Sequence, residues 1–202
     1  MHIGLDFDNT IVLYDRAFHR RALAAGLIGP GVPARKREVR DAVRRGAGGD
    51  PAWTELQGVV YGRAMGEAEP APGVEKFLAA CRAAAVRVSI ISHKTEYPVI
   101  GERVNLRDAA RGWLAARSFS ARFGIAAADI LFVGTLAEKL AAIGERGCTH
   151  FVDDLPEVLG HPAFPAGVVR ILFAPGGAEA PPGVVGFRTW EQIGGHLLGG
   201  AP

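Results

Sequence analysis

The stretch Ile3-Gly4-Leu5-Asp6-Phe7-Asp8-Asn9-Thr10 constrains the fold of this chain more than any other. An apolar run from His2 to Leu5 reads as a buried strand, and two aspartates two positions apart follow it. In an extended chain, residues two apart project to the same side. Asp6 and Asp8 therefore leave the strand end toward a shared point. Two carboxylates held there repel unless a cation lies between them or one keeps a proton. A hard, oxygen-preferring ion such as Mg²⁺ suits them. An ordinary strand followed by an Asp/Asn turn would look the same over these residues alone, so the rest of the chain decides.

That remainder divides in two. Residues 15–67 carry three helical patterns, over 15–23, 35–45 and 53–65, broken by Gly26, Gly29-Pro30-Gly31, Pro33 and the segment 46–51. Glu69-Pro70-Ala71-Pro72-Gly73 reads as a joint. Beyond it, helical patterns over 74–85, 105–118, 136–146 and 189–198 alternate with strand-like runs at 86–91, 130–133, 149–152, 168–173 and 184–187. Such alternation predicts an α/β fold, a Rossmann-like parallel sheet with helices on both faces. The expected organisation is an α/β core from residues 1–14 and 73–202, with 15–72 a small helical insertion. In such sheets the site lies outside the carboxyl ends of the strands.

Those ends collect a short set. The first strand offers Asp6 and Asp8, the strand after the joint Ser92, and the strand at 149–152 Asp153 and Asp154. The helix before that last strand carries Lys139. Singly these have bland readings: a cap for Ser92, a solvated helix face for Lys139, a helix N-terminus for the acidic pair. Together, in this order, they resemble the haloacid dehalogenase superfamily of phosphohydrolases. Asp6-Phe7-Asp8-Asn9-Thr10 matches its D-x-D-x-T motif, Ser92 its strand-ending Ser/Thr, Lys139 its lysine, and Phe151-Val152-Asp153-Asp154 its acidic pair. Lys94 sits too close to Ser92 to match the family's lysine.

The resemblance implies a two-step phosphoryl transfer. Asp6 would attack phosphorus and form an aspartyl-phosphate, and Asp8 would protonate the leaving oxygen and then deprotonate water. Mg²⁺ would be held by the Asp6 side chain, the Asp8 backbone carbonyl and the acidic pair, with Asp154 the direct ligand and Asp153 behind it. Ser92 and Lys139 would bind phosphate oxygens. The residues themselves add Asn9, as the turn after Asp8, and His93 and Lys94, close enough in sequence to reach a phosphate. The dehalogenase branch lacks an acid two residues after its nucleophile, so Asp8 favours phosphate esters over carbon–halogen bonds. Within the family, the insertion takes the place of a substrate-selecting cap. It is basic, with Arg16, Arg20, Arg21, Arg35, Lys36, Arg37, Arg40, Arg44 and Arg45, which reads either as attraction for an anionic substrate or as a solvated face. Glu55, Gln57 and Tyr61 are candidates for substrate contact within it.

The expected activity is Mg²⁺-dependent removal of phosphate from a small anionic metabolite, with a nucleotidase and a non-catalytic partner-binding domain as the alternatives. Net charge +2 argues against a polyanion-binding surface, so no nucleic-acid partner is expected. No apolar run reaches membrane-spanning length. Cys81 and Cys148 form no framework and no His/Cys cluster has zinc spacing, which with the immediate first strand makes a reducing, cytoplasmic setting the expectation.

Overall fold

The computed structural model describes residues 1–199. In chain order these form β1 (His2–Leu5), β2 (Val12–Leu13), α1 (Asp15–Ala24), α2 (Lys36–Arg45), α3 (Gly49–Tyr61), β3 (Glu69–Pro70), α4 (Val74–Ala83), β4 (Arg87–His93), α5 (Leu106–Ala116), α6 (Phe119–Phe123), β5 (Ile130–Val133), α7 (Leu136–Glu145), β6 (His150–Asp153), α8 (Pro156–Leu159), β7 (Val169–Phe173), β8 (Val184–Phe187) and α9 (Trp190–Leu198). The chain forms two compact units. One holds Met1–Val12, Pro70–Lys94 and the residues from Ser118 onward; the other holds Leu13–Glu69 and Thr95–Arg117.

The first unit is a six-stranded parallel sheet in the order β5-β4-β1-β6-β7-β8. β1 lies inside it, between β4 and β6. Leu5, the last residue of β1, pairs with Ile90 on one side and Val152 on the other, so β4 runs three residues and β6 one residue past the end of β1. Burial on both faces explains why β1 reads as an unbroken apolar run. On β7 successive residues face opposite ways. Leu172 joins a core with Leu140, Ile143, Phe151, Val158 and Leu159, whereas Phe173 meets Trp190 of α9 at 5.4 Å. Trp190 also packs on Phe77 of α4 at 4.9 Å. Helices α7 and α8 thus cover one face and α4 and α9 the other. Gly4 is the one β1 residue that could take no side chain, because a Cβ there would lie 2.5 Å from the Phe151 ring.

The second unit is helical. Phe18 stacks on Trp53 at 4.8 Å, Tyr14 meets Tyr61 edge-on at 4.9 Å, and Val39, Val43, Leu56 and Val60 are buried. Its third helix begins at Gly49, earlier than the expected 53, and Pro51 sits in the first turn, where a missing N–H costs nothing. The extent of the unit also differs from the expected 15–72, since it takes in α5. Trp113 of α5 is buried and donates its indole N–H to the Ala68 carbonyl at 2.9 Å; Arg117 donates to the same carbonyl. The basic residues are largely matched within the unit: Arg16 by Glu69, Arg20 and Arg21 by Glu67, Arg37 and Arg40 by Asp41, and Arg44 by Asp50. Lys36 Nζ lies 5.6–5.7 Å from the Tyr61 and Phe18 ring centroids. These pairings favour the solvated-face reading of the basic helices.

Candidate active site

The site is built where β1, β4 and β6 end. The backbone N–H of Asp6 donates to the Val152 carbonyl at 2.9 Å, which carries the sheet one residue past β1 and fixes where the Asp6 side chain starts. The chain then turns sharply. The Phe7 carbonyl accepts from both Ile11 and Val12, and Asn9 adopts φ 60°, the left-handed region that Asn tolerates better than most residues. Asn9 thus closes the turn that lets Asp6 and Asp8 leave in their own directions. Thr10 is wholly buried; its hydroxyl donates to Asp154 Oδ1 at 3.3 Å and its carbonyl accepts from the Trp190 indole N–H at 3.2 Å. That last bond ties the turn to α9.

Lys139 lies on α7, whose N-terminus is set by a reciprocal Thr135–Glu138 capping box. Its ammonium donates to Asp6 Oδ1 and Asp153 Oδ2, each at 2.6 Å. All three side chains are almost wholly buried. Burial alone would push the Lys139 pKa down, but the Asp6 and Asp153 charges outweigh it and hold the pKa above the usual lysine range. For Asp153 the balance differs. Burial and then the neighbouring Asp6 charge push its pKa up to about 7, against the pull of Lys139 and of the Leu155 N–H, which Asp153 Oδ1 accepts at 3.0 Å.

Asp6, Asp153 and Asp154 each present an oxygen, and these oxygens lie within 4.8 Å of one another. With Asp8, four carboxylates face two ammonium groups, Lys139 and Lys94. A divalent cation fits the remaining negative charge and the all-oxygen donor set. Both Asp153 oxygens already accept a hydrogen bond, which favours Asp154, half-buried, as the direct ligand.

The carboxylate of Asp8 is not part of that triad. Lys94, the residue after β4, donates to both of its oxygens, at 3.0 and 2.7 Å. Lys94 is buried, its N–H is anchored on the Val133 carbonyl at 2.9 Å, and its ammonium lies 5.8 Å from the Phe7 ring centroid. Sequence reasoning placed it, with His93, within reach of a phosphate but gave it no role and no partner. A lysine two residues past a strand-ending Ser92 returns to the same side as that serine, which was the available signal. Ser92 is buried two residues beyond the Leu5–Ile90 pair. His93 points elsewhere: it is exposed, and its Nε2 bonds the Gly134 carbonyl at 2.9 Å. His150, on the far side of β6 from the site, bonds Thr149 Oγ1.

The raised Asp153 pKa has a testable sign. A carboxyl whose folded pKa lies above its unfolded value contributes stability that is present below the unfolded pKa, near 3.8, and lost as pH rises through about 7. In chelator-treated protein, the stability of wild type relative to Asp153→Asn, read from thermal midpoints, is therefore expected to fall between about pH 4 and about pH 7, by up to ~1.4 kcal/mol per pH unit. A relative midpoint that rises over this range would show Asp153 to be an ordinarily ionised partner of Lys139.

No protein-family model and no curated protein matches the chain. Solved structures do. A haloacid dehalogenase-superfamily hydrolase of Ehrlichia chaffeensis aligns with a TM-score of 0.58 at 14% identity, over 98% of this chain and 96% of its own. A haloacid dehalogenase-family hydrolase of Deinococcus radiodurans R1, solved with bound phosphate and sodium, aligns at 0.59 and 15%, over 98% and 95%. Protein tyrosine kinase A of Mycobacterium tuberculosis aligns at 0.64 and 18%, over 98% of both chains. At such identities the likeness is one of architecture. The chain has the fold of the haloacid dehalogenase-superfamily hydrolases.

Proposed function

We propose that the protein is a Mg²⁺-dependent phosphohydrolase that releases phosphate from a small anionic metabolite through an aspartyl-phosphate on Asp6. The observation that carries this reading is the Lys139 bridge between Asp6 and Asp153 beside Asp154, at the carboxyl ends of adjacent strands. Nothing in an ordinary strand-and-turn requires a buried lysine between two buried carboxylates, and such a group is costly unless fully paired.

In this reading Asp6 Oδ attacks phosphorus and the leaving oxygen departs with a proton from Asp8. Water, giving its proton to Asp8, then hydrolyses the acyl phosphate. Lys139 shields Asp6 from the approaching anion and, with Ser92, binds phosphate oxygens. Asp6, the Asp8 carbonyl and Asp154 would hold the cation, with Asp153 behind them, and the cation would supply charge neutralisation for the phosphoryl group. The phosphate bound to the Deinococcus neighbour supports an oxyanion substrate. Most arginines of the helical unit pair with its own carboxylates.

Release of inorganic phosphate from p-nitrophenyl phosphate, and then from a panel of phosphorylated metabolites with nucleotides included, tests the reading. Mg²⁺-dependent release that EDTA abolishes is the expected result. No release from any member of the panel with Mg²⁺ present would overturn it.

A further inference from the structure

Lys94 has no part in the chemistry assigned so far, yet its side chain is as buried as that of Lys139, 3% exposed in each case. A lysine held that way needs its charge met, and both oxygens of Asp8 meet it. Asp6 and Asp8 are spaced to share one ion. The structure instead gives each its own lysine: Asp6 goes to Lys139 and joins the triad, and Asp8 goes to Lys94 outside it. The ends of this arrangement are rigid. Lys94 is pinned by its backbone to β5, and the buried Phe7 ring beneath the ammonium packs edge-on against Phe132 at 5.2 Å.

From this we infer that Lys94 is a positioning residue: it holds the Asp8 carboxyl away from the cation-binding triad and reserves it for proton transfer. The inference rests on the phosphohydrolase reading and adds the residue that separates the duties of two otherwise equivalent aspartates. Without Lys94, the Asp8 side chain has an alternative destination in a cation two residues away, and a carboxyl turned toward that cation is lost to the leaving oxygen.

The test is leaving-group dependence, which loss of packing alone would not alter. The quantity kcat/KM reports events up to departure of the leaving group. p-Nitrophenolate leaves without much help, whereas phenolate needs the proton. In Lys94→Met, kcat/KM for phenyl phosphate is expected to fall about 10²-fold, the lower range of a lost general acid, and for p-nitrophenyl phosphate less than about tenfold. Asp8→Asn should show the same split, and Lys94→Arg should recover part of the phenyl phosphate loss. Lys94→Gln, which keeps a donor for one Asp8 oxygen, supplies the same ratio if the methionine variant does not fold. An equal loss with both substrates would make Lys94 a phosphate ligand and overturn the inference, as would no loss with either. Those outcomes leave the phosphohydrolase reading standing, provided Asp6→Asn is inactive and Asp8→Asn shows the split. An inactive wild type overturns both.

Discussion

Asp6→Asn is expected to lower Mg²⁺-dependent phosphate release by at least about 10³-fold while leaving the protein folded. The size of the effect follows from how little else could act in its place. Asp6 is anchored in the middle of the sheet by its bond to Val152. Asp153 has both oxygens engaged, by Lys139 and by the Leu155 N–H, and Asp8 is held by Lys94. The amide keeps the shape of the carboxylate and removes one of two like charges beside Lys139. The thermal midpoint should therefore hold within about 4 °C, the shift of roughly 1–2 kcal/mol in a chain of this size. Separation of these readouts is the informative part: a variant that loses both activity and fold says nothing of a nucleophile, and one that keeps its activity excludes Asp6 from that role.

Lys139→Met is expected to be the opposite kind of variant, one that loses stability and activity together. It leaves Asp6 and Asp153 buried side by side with no positive charge between them. Removing one partner of a buried ionic group costs about 3–5 kcal/mol, which for a chain of this length lowers the thermal midpoint by about 10 °C. The raised lysine pKa sets the pH range: the contribution is fully present below the unfolded value of 10.5 and lost only above the folded one, so the deficit is complete at neutral pH. Two conditions should narrow it. Lower pH does so by protonating Asp153, and Mg²⁺ by supplying positive charge to the same carboxylates. A midpoint unchanged in Lys139→Met, at neutral pH in EDTA, would show that the buried triad is not ionised as described.

The strands that build this site are legible because burial on both faces writes them as short apolar runs. β1, β5 and β8 have the expected bounds, and the other three differ by a residue or two at their ends. Chemistry placed at a strand end is equally legible, and Asp6, Asp153 and Asp154 meet there with Lys139 from α7. What escapes is whatever depends on long-range side-chain reach. Lys94 is two residues from Ser92 in sequence, but its partner Asp8 lies 86 positions away. Helix α5 reads as one more helix of the alternating series, and long-range bonds such as Trp113–Ala68, across 45 positions, show that it belongs with the helical unit. The arginines read as a charged face because their counterions are few in sequence, and two of them, Glu67 and Asp41, each serve two partners. His93 shows the reverse case, near in sequence and turned away in space. Helix α6 was not anticipated: its ends at Ser118 and Gly124 rest on left-handed backbone that local periodicity does not report.

The central claim is a covalent bond between Asp6 and phosphorus, and it can be caught directly. Borohydride reduces an acyl phosphate, releasing phosphate and converting the aspartyl side chain to that of homoserine. It leaves free carboxylates alone. Wild-type protein quenched during turnover with Mg²⁺ and p-nitrophenyl phosphate, reduced, digested and sequenced by mass spectrometry should carry that conversion at Asp6 and at no other residue, and only when substrate was present. Conversion at a different aspartate, or none during demonstrable turnover, would contradict the account.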